Sequence, residues 1–251
     1  QLPHDEWEWA LDNLRAARLI ANKDPQNPSL LDCHPLVREH YGDKVKALNP
    51  QAWVEAHRRL YEYYKSQTTE YPETIEEMTP LYSAVAHACQ AGLHQNAFDE
   101  VYKRRIQRYE EYYNMYKLGA FSADLAILSG FFEEPWYKPV GGLSALDRSE
   151  LLGCAGFVLI KLGRFTEAMK SIEAALQEFL RLEDWKEAAI NANNLSELHL
   201  TTGDLIRSYY YAEKCLSLAD LSGNVFWKVN ARTVLATVLY QKGEFEQAED
   251  L

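Results

Sequence analysis

The sequence predicts an all-α fold in which helical hairpins stack side by side into a superhelix, or solenoid. The first observation is a degenerate eight-residue pattern that recurs at 161–168, 201–208 and 241–248, with its glycines Gly163, Gly203 and Gly243 spaced 40 residues apart. The second is that an apolar stripe with helical periodicity runs before each glycine and another follows it. The third is the composition, 47% hydrophobic and 25% charged, which excludes disordered, collagen-like and low-complexity chains.

The net charge, the hydropathy and the cysteines disfavour nucleic-acid-binding, membrane-spanning and secreted proteins. With 37 acidic and 26 basic residues, the formal net charge is -11, which disfavours binding to phosphate backbones. The sequence has no apolar run of the roughly 20 residues that a membrane span requires, and its first six residues do not have the basic and then apolar pattern of a signal peptide. Its four cysteines are far apart and predict reduced thiols in a cytoplasmic protein. Because the sequence lacks an initiator Met and stops inside a helical pattern, we expect it to be part of a longer chain.

Residues 1–48 form the first predicted segment. An apolar stripe predicts a helix from Glu6 to Ile20, followed by a polar turn. The apolar pair Leu30–Leu31 then predicts a short strand. A second helix is expected to begin at Pro35, because proline is favoured at the first position of a helix. The predicted order is therefore helix, turn, strand, helix.

Residues 49–148 are predicted to be helical repeats in a degenerate form. Gly92 and Gly119 are expected to end helices. The stretch 135–142 contains two prolines and two glycines, so we expect it to be an ordered loop with both of its aromatic residues packed. The apolar stripes are Trp53, Ala56, Leu60, Tyr63 and Tyr64 on one helix, and Leu81, Val85, Ala88 and Cys89 on the next.

Residues 149–251 carry the clear repeats. Each glycine can adopt the positive φ that ends the first helix of a hairpin. Five residues after the glycines stand Ala168, Ser208 and Ala248, which are small enough to let the two helices of a hairpin approach closely. Three helical hairpins are therefore predicted in this region.

This pattern resembles the tetratricopeptide repeat (TPR), a helix pair with a small-residue seam and a glycine at its internal turn. The spacing of 40 is longer than the usual period of about 34, and the proline that often closes a repeat is missing. The resemblance implies longer helices of the kind found in large signalling proteins, and a protein or peptide ligand. Residues 49–251 as a whole are assigned to this TPR-like domain.

The segment 1–48 resembles the end of the winged-helix domain in STAND-type signalling ATPases, which include NB-ARC and NACHT proteins. The residues that carry this resemblance are Leu19–Ile20 and the string Leu31–Glu39. It implies that the chain is the sensor and scaffold region of such an ATPase, which couples ligand recognition to homo-oligomerisation and effector activation. The sequence has no phosphate-binding loop. We therefore expect no cofactor and no enzymatic activity in this chain, with ATP and Mg²⁺ bound only by an upstream module.

The candidate ligand-binding residues lie on the first helices of the hairpins, which line the concave face of such a solenoid. Asparagine is a weak helix former, so its recurrence there suggests hydrogen bonds to an extended peptide. An equally weighted alternative is that some of these asparagines satisfy helix ends inside the repeat stack. The lysines that hold a ligand carboxylate in some TPR domains are absent, because Glu150 and Ile190 stand at the equivalent positions. The candidates are Asn193, Asn194, Glu197, Asn230, Thr233 and Thr237, with Asn191 on the same helix.

The sequence disfavours a catalytic Cys/His pair, a metal site and nucleic-acid binding. Cys154 and His199 could form a nucleophile and base, but both lie on helical stripes where a buried thiol and a core imidazole are commoner. The histidines lack metal-binding spacing, so no metal site is predicted. The strings 58–65 and 102–113 mix basic and aromatic residues, but acidic residues interrupt them at every turn. They favour core packing or a protein partner over nucleic acid.

Two alternative functions remain open. The chain could be a constitutive adaptor that joins two proteins with no ATPase attached, which the absence of an upstream phosphate-binding loop would favour. It could also be the regulatory TPR region of an ATP-dependent transcription regulator, which a helix-turn-helix with a basic face outside this sequence would favour.

Overall fold

The computed structural model describes residues 3–26 and 31–251, and these residues are mostly helical, which confirms the all-α prediction. None of the helices in these two ranges is both long and apolar enough to cross a membrane. The α-helices are α1 His4–Ala16, α2 Pro35–Leu48, α3 Pro50–Ser66, α4 Ile75–Gln90, α5 His94–Asn96, α6 Tyr113–Tyr116, α7 Phe121–Leu128, α8 Ala145–Lys161, α9 Phe165–Arg181, α10 Trp185–Thr201, α11 Leu205–Ser222, α12 Val225–Lys242 and α13 Phe245–Glu249.

The chain divides into two compact units between Ala56 and His57, inside α3. In the first unit, α2 begins at Pro35 as predicted, and the His34 ring accepts a hydrogen bond from the backbone of Leu36 at 3.3 Å. Helix α1 ends at Ala16, earlier than the predicted Ile20, and Arg18 then takes a left-handed φ of 55°. Of the predicted strand, Leu31 is not in a strand and Leu30 lies outside the described residues. The winged-helix assignment stays a prediction.

The three predicted hairpins are present in the second unit as α8–α9, α10–α11 and α12–α13. Their turns contain Gly163, Gly203 and Gly243, with φ between 72° and 84°. A residue with a side chain rarely adopts this conformation, which explains why glycine recurs at this position. The spacing of the glycines therefore located the hairpins correctly.

A seam of small residues joins the two helices of each of the first two hairpins. In the first, Gly156 of α8 lies directly against Ile172 of α9, which is fully buried. In the second, Ser196 and Ser208 exchange hydrogen bonds, each hydroxyl donating to the other residue's backbone carbonyl at 2.9 Å. The prediction is confirmed at Ser208; in the first hairpin the close approach is at Gly156, and the predicted Ala168 is fully buried.

The region 57–148 departs more from the predicted pattern. The stripe on α4 is confirmed, since Leu81, Val85 and Ala88 are buried. On α3, however, Tyr61 is the buried aromatic residue and Tyr63 is 55% exposed. Leu60 of the predicted stripe is exposed too, whereas Tyr61 packs into the apolar core and its hydroxyl donates to Glu100 at 3.2 Å, so the predicted stripe on α3 was wrong at these positions.

An unusual helix follows α5. Residues Ala97–Gln107 form a π-helix, and the chain leaves it through Arg108 and Tyr109, both with left-handed backbone. Tyr112 is left-handed as well. Left-handed conformations are unfavourable for residues other than glycine, so surrounding contacts must hold this segment in place.

The predicted loop at 135–142 contains a small hairpin of two strands, β1 Phe132–Glu134 and β2 Lys138–Pro139, which pair antiparallel. Trp136 is buried and packs edge-on against Phe132, with ring centroids 5.6 Å apart. Tyr137 is 47% exposed and hydrogen-bonds to Glu134. The expectation that both aromatic residues pack was therefore correct only for Trp136.

A buried carboxyl group lies in the core of this region. Asp124 is 1% exposed and accepts hydrogen bonds from the Tyr102 hydroxyl at 3.2 Å and from Asn114 Nδ2 at 2.6 Å. Burial penalises its charged form and raises its pKa to about 7, although both hydrogen bonds act in the opposite direction. In the folded protein this carboxyl group therefore stays protonated below about pH 7.

This carboxyl predicts a pH dependence of stability. Between about pH 4, where a carboxyl in the unfolded chain titrates, and about pH 7, the folded state retains a proton that the unfolded state releases. The free energy of unfolding is therefore expected to fall as pH rises through this window and to level off above it. Asp124→Asn should flatten this decline, at about 1.4 kcal/mol for each unit of pKa shift removed. Urea denaturation across the window measures the difference, and equal slopes for both proteins would contradict it.

Candidate ligand-binding groove

The predicted ligand-binding residues lie on two neighbouring helices. Asn193, Asn194 and Glu197 are on α10, whose first turn is capped by the Asp184 carboxylate. Asn230, Thr233 and Thr237 are on α12, whose first turn is capped by the side chain of Asn224. Helices α10 and α12 pack against each other, so the two sets lie on neighbouring helices. We call these six residues together with Asn191 the groove.

Two of the predicted asparagines have buried amide oxygens with no hydrogen-bond partner among the described residues, Asn193 and Asn230. Asn193 is only 6% exposed, and its amide nitrogen donates to Glu197 at 3.1 Å. A buried acceptor without a donor costs about 1–3 kcal/mol. Each of these oxygens exposes less than 1 Å², so both are closed to a ligand in this conformation.

Asn191 also has an amide oxygen without a partner, and it is more deeply buried than Asn193. Its side chain is buried at 3% exposure, and its amide nitrogen donates to the backbone oxygen of Glu187 at 2.8 Å. The amide oxygen has no partner within the described parts of the chain. It faces Gly153 of α8, where a Cβ atom would lie 3.6 Å away.

The threonines of the groove are exposed and bond back to their own helix. The Thr233 hydroxyl donates to the Val229 carbonyl at 3.1 Å, and the Thr237 hydroxyl donates to the Thr233 carbonyl at 2.8 Å. Each hydroxyl donor is thereby used, and its oxygen keeps its capacity to accept. The threonines thus add acceptors to the groove, as the asparagines do.

Carboxylates dominate the charge beside the groove. Glu187 is partly buried and has a raised pKa, because burial and the nearby charges of Asp184 and Glu150 outweigh the hydrogen bond from Lys186. Glu150 pairs with Lys103 at 2.6 Å. The groove therefore offers acceptors and negative charge to a ligand.

Cys154 and His199 have separate surroundings. The Cys154 thiol accepts a hydrogen bond from Gln107 at 3.5 Å, and burial raises its pKa to about 12. The His199 ring is buried and stacks on Tyr211 with centroids 5.5 Å apart. A thiol with so high a pKa is a poor nucleophile at neutral pH.

The basic side chains of the string 102–113 are engaged within the chain. Arg105 donates to backbone carbonyls of the segment 65–70, Arg104 pairs with Glu70 at 2.8 Å, and Lys103 pairs with Glu150. Arg108 lies over the Tyr113 ring at 3.5 Å. These contacts agree with the packing interpretation of the string.

The sequence analysis did not identify Gly153 or Glu187 as part of this region. A glycine inside a helix costs stability relative to alanine, so its presence in α8 is a signal of a packing or functional requirement. Glu187 precedes Asn191 by one helical turn, which is visible in the sequence. The sequence did not show that Gly153, in the first hairpin, lies close to this turn of α10 in the second.

No protein-family profile matches the chain, and a comparison with curated proteins finds no significant similarity.

Proposed function

We propose that the groove binds a protein or peptide ligand in extended conformation. The observation that carries this proposal is the set of polar side chains that α10 and α12 present at their surface: Glu197, Thr233 and Thr237 are exposed, and Asn194 and Asn230 are partly exposed. An extended peptide presents backbone N–H groups that such side chains can accept. The buried Asn193 donates to Glu197 at 3.1 Å and holds that carboxylate in place.

The arrangement of the helices supports the proposal. Helices α10 and α12 are the first helices of successive hairpins and lie side by side, so acceptors on both can contact one ligand. The exposed Thr233 and Thr237 provide further oxygens beside Asn230. The TPR resemblance, with its concave binding face, agrees with the use of these helices.

Alanine variants test the groove directly. A phage-displayed library of random dodecapeptides is selected on the immobilised chain, and the affinity of the selected peptides is measured by calorimetry. Asn193→Ala, Asn194→Ala and Asn230→Ala are each expected to weaken binding by roughly five- to tenfold, because one hydrogen bond contributes about 1 kcal/mol. Asn22→Ala, in an exposed segment, is the control and should bind as the parent chain does.

Unchanged affinity in all three groove variants would move the binding site elsewhere. Loss of cooperative unfolding in these variants would instead support a role for the asparagines inside the repeat stack. Thermal unfolding monitored by circular dichroism distinguishes the two cases.

As its wider setting, we propose that the chain is the sensor and scaffold region of a STAND-type ATPase. The support is the sequence resemblance of 1–48 and 149–251. Ligand binding would then shift the full-length protein towards an open state that oligomerises. Light scattering of the full-length protein with ATP and a selected peptide is expected to show an oligomer, and a persistent monomer would contradict the switch.

A further inference from the structure

We propose that the peptide bound in the groove carries a large apolar side chain, phenylalanine or leucine for example, that packs on the first turn of α12. Val225, Phe226 and Val229 form this surface, which we call the apolar turn. The inference rests on the proposed function of the groove and specifies the chemistry of its ligand.

The apolar turn is continuous with the groove. Phe226 lies one helical turn before Asn230, and Val229 lies one turn before Thr233, so each pair shares a face of α12. Val225, Phe226 and Val229 are 76%, 68% and 63% exposed. A peptide that contacts Asn230 and Thr233 can therefore also cover this apolar surface.

The exposure of Phe226 is a property of its position in the repeat. The equivalent residues of the first two hairpins, Leu146 and Lys186, are exposed as well, although α10 packs against helices on both of its sides. Val229 differs, because the equivalent Ala189 is fully buried. Phe226 is therefore the centre of the apolar turn. One exposed apolar residue is ordinary on a protein surface, whereas several on one helical turn indicate a binding site.

The charge pattern selects an apolar ligand residue. The face that Phe226 shares with Asn230 and the two groove threonines has no charged residue. Lys228 is only two residues from Phe226 and therefore lies on another face of the helix. The equivalent stripe on α10, by contrast, carries Lys186 and Glu197. Over α12 a charged side chain would lose hydration without gaining a partner, whereas an apolar side chain would remove apolar surface from water.

The ring of Phe226 is held in position within the chain. It packs edge-on against Trp227, with ring centroids 5.4 Å apart and an interplanar angle of 90°. Trp227 in turn packs against the larger apolar core, and its backbone N–H donates to the Asn224 side chain at 3.1 Å. Because the surface is already formed, docking an apolar side chain there costs little conformational entropy.

The probes are the peptides selected from the random dodecapeptide library. We expect them to share a large apolar residue at one position, and its replacement by alanine to weaken binding by about tenfold, equal to about 1.4 kcal/mol. Phe226→Ser should weaken binding of the unchanged peptide by a similar factor. The two changes together should weaken binding little more than either alone, because both remove the same contact. Phe226→Leu keeps an apolar side chain and should retain most of the affinity.

Tyr210→Ser is the matched control, because Tyr210 is an exposed aromatic residue of α11, outside the groove. Equal weakening by this variant, or full additivity of the peptide change and Phe226→Ser, would overturn the inference. Peptides that lose affinity in Asn230→Ala but bind Phe226→Ser as they bind the parent chain would overturn it too, and would leave the proposed function standing. If no selected peptide is sensitive to the groove asparagines, the proposed function itself fails.

Discussion

Replacing Arg105 with methionine is expected to lower the free energy of unfolding by about 1.5–3 kcal/mol, because a charged donor is removed from several backbone acceptors. This side chain is 7% exposed, and its guanidinium donates to four backbone carbonyls, those of Lys65, Thr68, Thr69 and Glu70, at 2.7–3.2 Å. Methionine fills a similar volume and donates nothing. The carbonyls would be left without their donor, and the segment that links α3 to α4 would lose its main anchor.

Arg104→Met is the control for this experiment. Its guanidinium is about half exposed and pairs with the carboxylate of Glu70, so little change in stability is expected. Urea denaturation of both variants, followed by circular dichroism, gives the comparison. Similar midpoints for the two variants would show that the carbonyl contacts of Arg105 contribute little.

Gly156→Ala is expected to destabilise the first hairpin by about 1–3 kcal/mol. A Cβ atom at this position would overlap Ile172 Cγ1 and lie 3.2 Å from its Cδ1. Ile172 is fully buried, so its side chain cannot swing into solvent. The overlap is therefore expected to outweigh the gain of about 0.5–1 kcal/mol that alanine normally brings to a helix interior.

Gly153→Ala provides the contrast within the same helix. Its Cβ atom would make ordinary contacts of 3.6 Å and 3.9 Å with Asn191, so alanine should stabilise the chain here. Thermal unfolding should move in opposite directions for the two variants. Adding Ile172→Ala to Gly156→Ala should recover part of the loss caused by overlap, and strict additivity of the two changes would argue against the clash.

The hairpins of 149–251 were predictable because local rules decide them. Gly163, Gly203 and Gly243 provide the positive φ of each turn, and the small residues after them set the approach of the two helices. Neither the turn conformation nor the position of the small residues depends on residues far along the chain. This is why a single sequence located the hairpins.

The region 97–119 was not predictable in the same way. Its π-helix and left-handed residues depend on contacts with segments far along the chain, such as Arg105 with the carbonyls of 65–70 and Arg108 with the Pro72 carbonyl at 2.6 Å. Helical periodicity assumes 3.6 residues per turn and cannot describe a π-helix. Tertiary contacts determined the backbone here.

The groove was predicted in part. Weak helix propensity drew attention to Asn191, Asn193 and Asn230, and the structure gives each of them an amide oxygen without a partner among the described residues. Asn191 and Asn193 are buried, which agrees with the equally weighted alternative that some of these asparagines lie inside the repeat stack. The approach of Gly153 to Asn191 required the packing of α8 against α10.

The apolar residues of the hairpins fall into two clusters in the described part of the chain. The larger one extends from α3 to α12, whereas a small one contains Ala212, Leu235, Val238 and Leu239 of α11 and α12. The start of α12 is thus packed into the larger cluster through Ala231, whereas its second half packs only into the small one. The last turns of α12 therefore have fewer buried apolar neighbours than α8–α10, and their backbone amides are expected to exchange hydrogen earlier than those of α8–α10.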